Sequence, residues 1–218
     1  MKSKFTKILC LVMGAILLVT GTVAATLAYM SASTQIITNT MTVGDIEIEL
    51  DEAVVDLYGV KQGNERTKTG NTYKLIPGQT YTKDPVVTVV EGSEPCYVFF
   101  GVAIDSEVAN VLDASNNVIA TQLKTSGWEK LMTADNKTQI VWTDDNGTAY
   151  NIYYKADVVD ATSSEKSLAT FTKFSVAGDA DVSKADEATI KVKAFAVQSA
   201  NLASPQLAWS ASFDQAST

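Results

Sequence analysis

Histidine is missing from all 218 residues, and that bounds the chemistry first. A zinc peptidase of the H-E-x-x-H kind sets two imidazoles on one ion beside a carboxylate base, and this chain cannot supply them. Serine hydrolases that rely on a histidine base fail on the same ground. Carboxylates are plentiful, at 25 Asp plus Glu, but a glycosidase needs two of them facing each other across a cleft. Here they alternate along strand-like runs or sit in polar loops, where solvated charge belongs. The stretch "DDNG" at residues 144–147 misses the D-x-[DN]-x-[DN]-G spacing of a calcium loop, and a hairpin turn accounts for all four residues, with calcium left open. Trp142, Tyr150, Tyr153 and Tyr154 could stack on a sugar ring, although on a hairpin such residues pair across strands and face the core. Asn136-Lys137-Thr138 and Asn146-Gly147-Thr148 have the form of glycosylation sequons, a short pattern that recurs by chance. The expectation is a protein that is not an enzyme, with no catalytic residue, no cofactor and no metal ligand.

Two cysteines are present. Cys10 follows "KIL" with almost no apolar run before it, which rules out lipidation there. Cys96 lies in "PCYVFFGVAI" and reads as a buried, small apolar side chain. A single cysteine beyond the leader cannot close an internal disulfide.

Residues 1–28 read as a signal peptide: "MKSKFTK", then the apolar "ILCLVMGAILLV", then the small residues of "TGTVAATLA". Cleavage after Ala25 or Ala28 fits, and the Ala28–Tyr29 bond is preferred. An uncleaved anchor is the alternative, since residues 8–30 are long enough to span a bilayer, but no basic stop-transfer cluster follows. The net charge is −8, and loss of Lys2, Lys4 and Lys7 takes it to −11. An acidic chain without a basic cluster argues against nucleic acid and against docking on anionic lipid, so contact with a membrane is expected only through the uncleaved leader. The composition fits a secreted or cell-surface protein.

The remainder reads as β. "VGDIEIELDE" sets Ile46, Ile48 and Leu50 on one face and Glu47, Glu49 and Asp51 on the other. "GVKQGNERTKTGN", residues 59–71, reads as a polar loop. Pro77-Gly78 forms a turn, Pro fixing the second position and Gly supplying positive φ at the third. "PVVTVVEG" is a strand, and "PCYVFFGVAI" is a central strand apolar on both faces. Residues 105–139 carry a hairpin-like "DASNN" and a Trp128 segment without a clear pattern. Two β-rich runs flank Asp144-Asp145-Asn146-Gly147, with Asn-Gly as the tight turn pair. "SLATFTKFSV" and "ATIKVKAFAVQS" follow as strands; in the second, Ile190, Val192, Ala194 and Ala196 alternate against Lys191, Lys193 and Phe195. "SPQLAWSASF" is a short helix with Ser204 as N-cap and Pro205 in the first position. No helix is long enough for a βαβ crossover, so the expected fold is an all-β, jelly-roll-like antiparallel β-sandwich with a short C-terminal helix. Residues 29–43 form an extended segment and residues 44–218 the sandwich domain.

Five stretches, in order, resemble the TasA/camelysin-like family: "GTVAATLAYMS" with "TNTMTVGDIEIELDE", then "KLIPGQTYTKDPVVTV", "GSEPCYVFFGV", "YNIYYK" and "VKAFAVQS". The resemblance implies secretion by a Gram-positive bacterium through a SipW-type signal peptidase, a jelly-roll-like sandwich, and a place in extracellular fibres of the biofilm matrix. Camelysin itself carries a metallopeptidase label, which does not transfer to a chain without histidine. The leader departs from the family pattern at Met30, where an aromatic is usual, and at Ser33, where an acid is common.

The polar stretch after the leader then acquires a role. "SASTQIITNTMTV" is extended in propensity, uncharged, and offers Ile37, Met41 and Val43 on one face. Freed by cleavage, it could complete the sheet of a neighbouring copy by β-strand addition, making the chain its own partner in a homopolymer. Alternatively it is an ordinary first strand. The leading expectation is a structural subunit of extracellular fibres. A monomeric surface module for glycan or protein is the alternative, and a secreted metalloendopeptidase, by family label only, is third.

Overall fold

The computed structural model describes Met13, residues 45–113 and residues 119–213. The signal peptide, the Ala28–Tyr29 bond, the donor residues Ile37, Met41 and Val43, and most of "DASNN" lie outside the described residues. Residues 45–213 belong to one compact unit. Among the described residues, no helix is long and apolar enough to cross a membrane.

The fold is the expected antiparallel β-sandwich. Among the described residues, eleven strands run in chain order: β1 Ile48–Val55, β2 Lys61–Thr67, β3 Thr80–Thr82, β4 Val86–Val89, β5 Cys96–Ile104, β6 Trp128–Lys130, β7 Val141–Thr143, β8 Ala149–Lys155, β9 Lys166–Ala169, β10 Lys173–Ser175 and β11 Ile190–Gln198. One sheet has the order β2-β1-β4-β9; the facing sheet has the order β11-β5-β8-β6, with β7 also paired to β8. β3 and β10 make a small sheet of their own. The chain crosses between the sheets several times, which gives the jelly-roll-like character.

β5 is the central strand that its sequence demands, since a run apolar on both faces belongs where both are covered. One face packs Val98 and Phe100 with Val87, Val89, Trp128 and Phe171 between the sheets. The other packs Phe99 under the C-terminal helix α3, Pro205–Phe213, through Trp209 at 5.1 Å between ring centroids. The Ser204 cap is observed: its Oγ accepts from the Leu207 N–H at 3.2 Å. This helix explains why Phe195 is not on a solvent face, as its alternation with lysines implied. Phe195 and Val197 are buried beneath α3 with Phe99 and Trp209.

Pro77-Gly78 turns as expected, the Gln79 N–H donating to the Ile76 carbonyl with Gly78 at φ 79°. Three readings are corrected. Residues 59–71 are not all loop, for β2 lies within them. Six of its seven residues are exposed, so no face is buried to impose an alternation; it is a strand because its backbone pairs with β1. "SLATFTKFSV" is two strands in two sheets, broken where the Thr170 hydroxyl turns inward to the Pro85 carbonyl at 2.6 Å. The hairpin at 144–147 closes one residue earlier than the Asn-Gly rule places it. The Gly147 N–H donates to the Asp144 carbonyl, so Asp145-Asn146 is the central pair and Gly147 takes the positive φ of 80°. Residues 105–139 hold two short helices, α1 Ser106–Val111 and α2 Ile119–Thr125. Their apolar residues are too few for a visible 3.6-residue stripe.

Cys96 is fully buried, and burial pushes its thiol up to about 12. Removing the sulfur leaves a small void, so Cys96→Ala is expected to cost about 1 kcal/mol in urea unfolding. Thiol reagents should label only unfolded chains. The unfolded thiol ionises near its ordinary 9.0 while the folded one holds its proton to about 12. Stability is therefore complete below pH 9 and falls through that window, by up to about 1.4 kcal/mol per pH unit per group. The buried Tyr153 is shifted the same way by burial. Cys96→Ala should flatten the alkaline slope, and unchanged denaturation midpoints between pH 9 and 11 would contradict it.

Candidate assembly seam and a buried polar cluster

An open strand edge is a template for further pairing, so the edges are accounted for one by one. β2 is blunted by charge: Lys61 pairs with Asp84 at 2.6 Å and Arg66 with Asp51 at 2.7 Å. β9 is four residues long and begins with an exposed lysine. β6 and β7 have three residues each. β11 differs. All nine of its residues pair with β5, and among the described residues no strand lies on its other side.

β1 has a half-open edge as well. Ile48 to Asp51 pair with β4, but the register with β2 begins only at Glu52. β1 and β11 approach each other across the sandwich. Ile48, Leu50, Ile190 and Val192 are only half-buried there, at the rim of the main cluster. The result is a seam with unfilled main-chain pairing on β11 and partly covered aliphatic side chains on both walls.

The direction of the seam follows from the strands. The Glu94 N–H donates to the Asp45 carbonyl at 3.1 Å, so β1 and β5 start at the same end of the sandwich. β11, antiparallel to β5, runs the other way. Asp45 thus lies at the end where β11 finishes. The opposite end carries the β1–β2 turn, with Leu57, Tyr58 and Val60 exposed.

The aromatic residues do not form one platform. Trp142 and Tyr150 are cross-strand partners 5.8 Å apart. Tyr153 faces the main core, while Tyr154 lies on the other face with its hydroxyl donating to Glu129 Oε2 at 2.7 Å. The Asp144 carboxylate is taken up by its own turn, accepting from the N–H groups of Thr148 and Asn146 and lying near the Tyr150 hydroxyl. These bonds hold its pKa below the ordinary carboxylate value, the Thr148 N–H contributing most. No group of three acidic or thiol side chains suited to a metal ion occurs among the described residues.

One constellation was not singled out from the sequence. Glu52 and Lys83 are buried together, with Lys83 Nζ 2.7 Å from Glu52 Oε2. The other carboxylate oxygen accepts from Asn71 Nδ2 at 2.9 Å. Tyr73 lines a cleft with Asn71 and Lys83, and its phenol pKa is pushed up, first by burial and next by the charge of Glu52. Strand parity carried the signal: Glu52 continues the inward series Ile46, Ile48, Leu50, and Lys83 continues Tyr81, Lys83, Pro85, Val87.

A separate cleft of about 1010 Å³ opens beside β6, β8 and α3, lined by Trp128, Glu129, Lys130, Tyr154, Gln206 and Leu207. Comparison with protein-family models, with curated proteins and with solved structures gives no match to this chain.

Proposed function

We propose that this chain is a secreted structural subunit that polymerises by β-strand addition, the segment at residues 29–43 of one copy filling the β1–β11 seam of the next. The observation that carries the reading is β11, a nine-residue strand with one unpaired edge among the described residues and with its own Ile190 and Val192 half-buried. Nine residues extend roughly 30 Å, and residues 29–43 reach roughly 50 Å, enough to cross a subunit boundary and cover the edge. Main-chain bonds to β11 would supply affinity, and the Ile37, Met41 and Val43 face would supply register. The resemblance to TasA/camelysin-like proteins, a matrix location and processing by a SipW-type peptidase belong to the same proposal.

Copies stacked head to tail set a direction. The donor leaves its own sandwich at the Asp45 end and enters the next copy at its β1–β2 turn end. It then runs antiparallel to β11, whereas the same segment folded back on its own seam would run parallel to it. Solid-state NMR of assembled material, labelled on residues 29–43 and β11, is expected to show antiparallel cross-strand contacts between differently labelled copies. Contacts confined to one copy would remove the exchange.

The second reading, a monomeric binding module, rests on the cleft beside β6 and β8. A saturable glycan ligand whose binding is lost in Glu129→Ala, for a protein that stays monomeric after leader removal, would favour it.

A further inference from the structure

The cluster holds a buried amine and a buried carboxylate beside a half-buried carboxamide, and all three have defined contacts. The side chains of Glu52 and Lys83 are each 6 % exposed. Asn71 Nδ2 donates to Glu52 Oε1 at 2.9 Å and to the Ala53 carbonyl at 2.9 Å, while Asn71 Oδ1 accepts from the Val55 N–H at 3.0 Å. Two acceptors on one side and a donor on the other fix the orientation of the amide. The carboxylate bridges Lys83 and Asn71, one oxygen to each nitrogen.

We propose that this cluster is a self-modification site that forms an amide cross-link between Lys83 Nζ and Asn71 Cγ. The ammonium of Lys83 passes a proton to Glu52 Oε2, its hydrogen-bond partner at 2.7 Å. The neutral Nζ attacks Asn71 Cγ, and the electron pair of the C=O bond moves onto Oδ1. The Val55 N–H already points at that oxygen, as a donor to a developing oxyanion must. In the tetrahedral intermediate Nδ2 is no longer conjugated and becomes basic, and the Glu52 carboxyl, whose other oxygen lies 2.9 Å from Nδ2, turns to deliver its Oε2 proton there. The C–Nδ2 bond breaks as the carbonyl re-forms, and the second proton on Nζ leaves with the departing nitrogen. One lysine ammonium and one asparagine carboxamide become one secondary amide and one ammonium ion, with no oxidant or reductant. Proximity fixed by these hydrogen bonds substitutes for activation of the amide, and the adjoining cleft of about 780 Å³, lined by both residues, offers ammonia a way out.

The bond would close the loop that holds the Pro77-Gly78 turn and anchor it beneath β1. Beyond the leader the chain has a single cysteine, Cys96, so this would be its redox-independent internal staple.

Mass spectrometry of the protein under denaturing conditions tests this directly. The wild-type chain is expected to be lighter than its sequence by one ammonia. Trypsin cuts at Lys74, between the two sites, so the peptides carrying Asn71 and Lys83 should stay joined as one branched species. Glu52→Gln and Asn71→Ala should have full sequence mass and yield separate peptides. The wild-type spectrum decides the matter even if a variant does not fold. Full sequence mass, or loss of ammonia with the two peptides separate as in a cyclised Asn71, would overturn the proposal.

Discussion

Replacing Ile37 or Met41 by aspartate is expected to abolish fibres while leaving the monomer folded. In an extended donor these residues and Val43 would share one face, since they are an even number of positions apart. In a neighbour's seam that face would meet Ile48, Leu50, Ile190 and Val192, whose incomplete burial leaves apolar surface to cover. Burying each donor side chain contributes roughly 1.5–3 kcal/mol. An aspartate there would be desolvated without a partner, at a cost of several kcal/mol, on the order of the whole contribution of the side chain it replaces. The sandwich of the mutant's own chain does not depend on its own segment if the donor acts in trans. Circular dichroism melting should therefore match the parent monomer, and electron micrographs should lack fibres. A mutant that loses its fold would mark residues 29–43 as the chain's own first strand. A mutant that still makes normal fibres would remove this face from assembly.

Trp128→Ala is expected to be among the most destabilising single changes in the sandwich, by about 3–5 kcal/mol. Trp128 is 1 % exposed and sits at the outer edge of the five-stranded sheet. Its ring lies 5.6 Å from that of Phe100 between the sheets, and Lys155 Nζ lies 5.0 Å from its centroid. Its indole N–H donates to the Ala169 carbonyl on β9 at 2.8 Å, so one side chain ties the edge of one sheet to the edge of the other. Truncation loses the apolar contacts, opens a cavity and leaves a carbonyl without its partner. Trp128→Phe keeps most of the contact and loses the hydrogen bond, so about 1–3 kcal/mol is expected. Urea unfolding of both variants measures the split. A loss near 1 kcal/mol for the alanine variant would mean that the two sheets are held elsewhere.

The sandwich was legible where one face is buried, because the two-residue period then shows. β1, β4 and β5, the Pro77-Gly78 turn and the Ser204-capped helix all follow from residue pattern and local chemistry. β2 was not legible, since a strand exposed on both sides has no face to reveal and exists only through its partner β1. The break between β9 and β10 depends on a hydrogen bond from Thr170 to Pro85, 85 positions away in sequence, and no local pattern records that. Phe195 was assigned outward because its neighbours in the pattern are lysines; the helix that buries it follows β11 in the chain. The seam is a property of two strands far apart in sequence and could not be read from either. The buried cluster was half-legible: parity turns Glu52 and Lys83 inward, but a charged residue at an inward position reads as an exception until its partner is seen.

Electron microscopy of a chain that begins at Tyr29, compared with the same chain lacking residues 29–43, tests strand exchange most directly. The expected result is fibres from the first and folded, dispersed monomers from the second, with fibres inhibited when a peptide of residues 29–43 is added in excess. Fibres of equal length and number from the truncated protein would contradict the account.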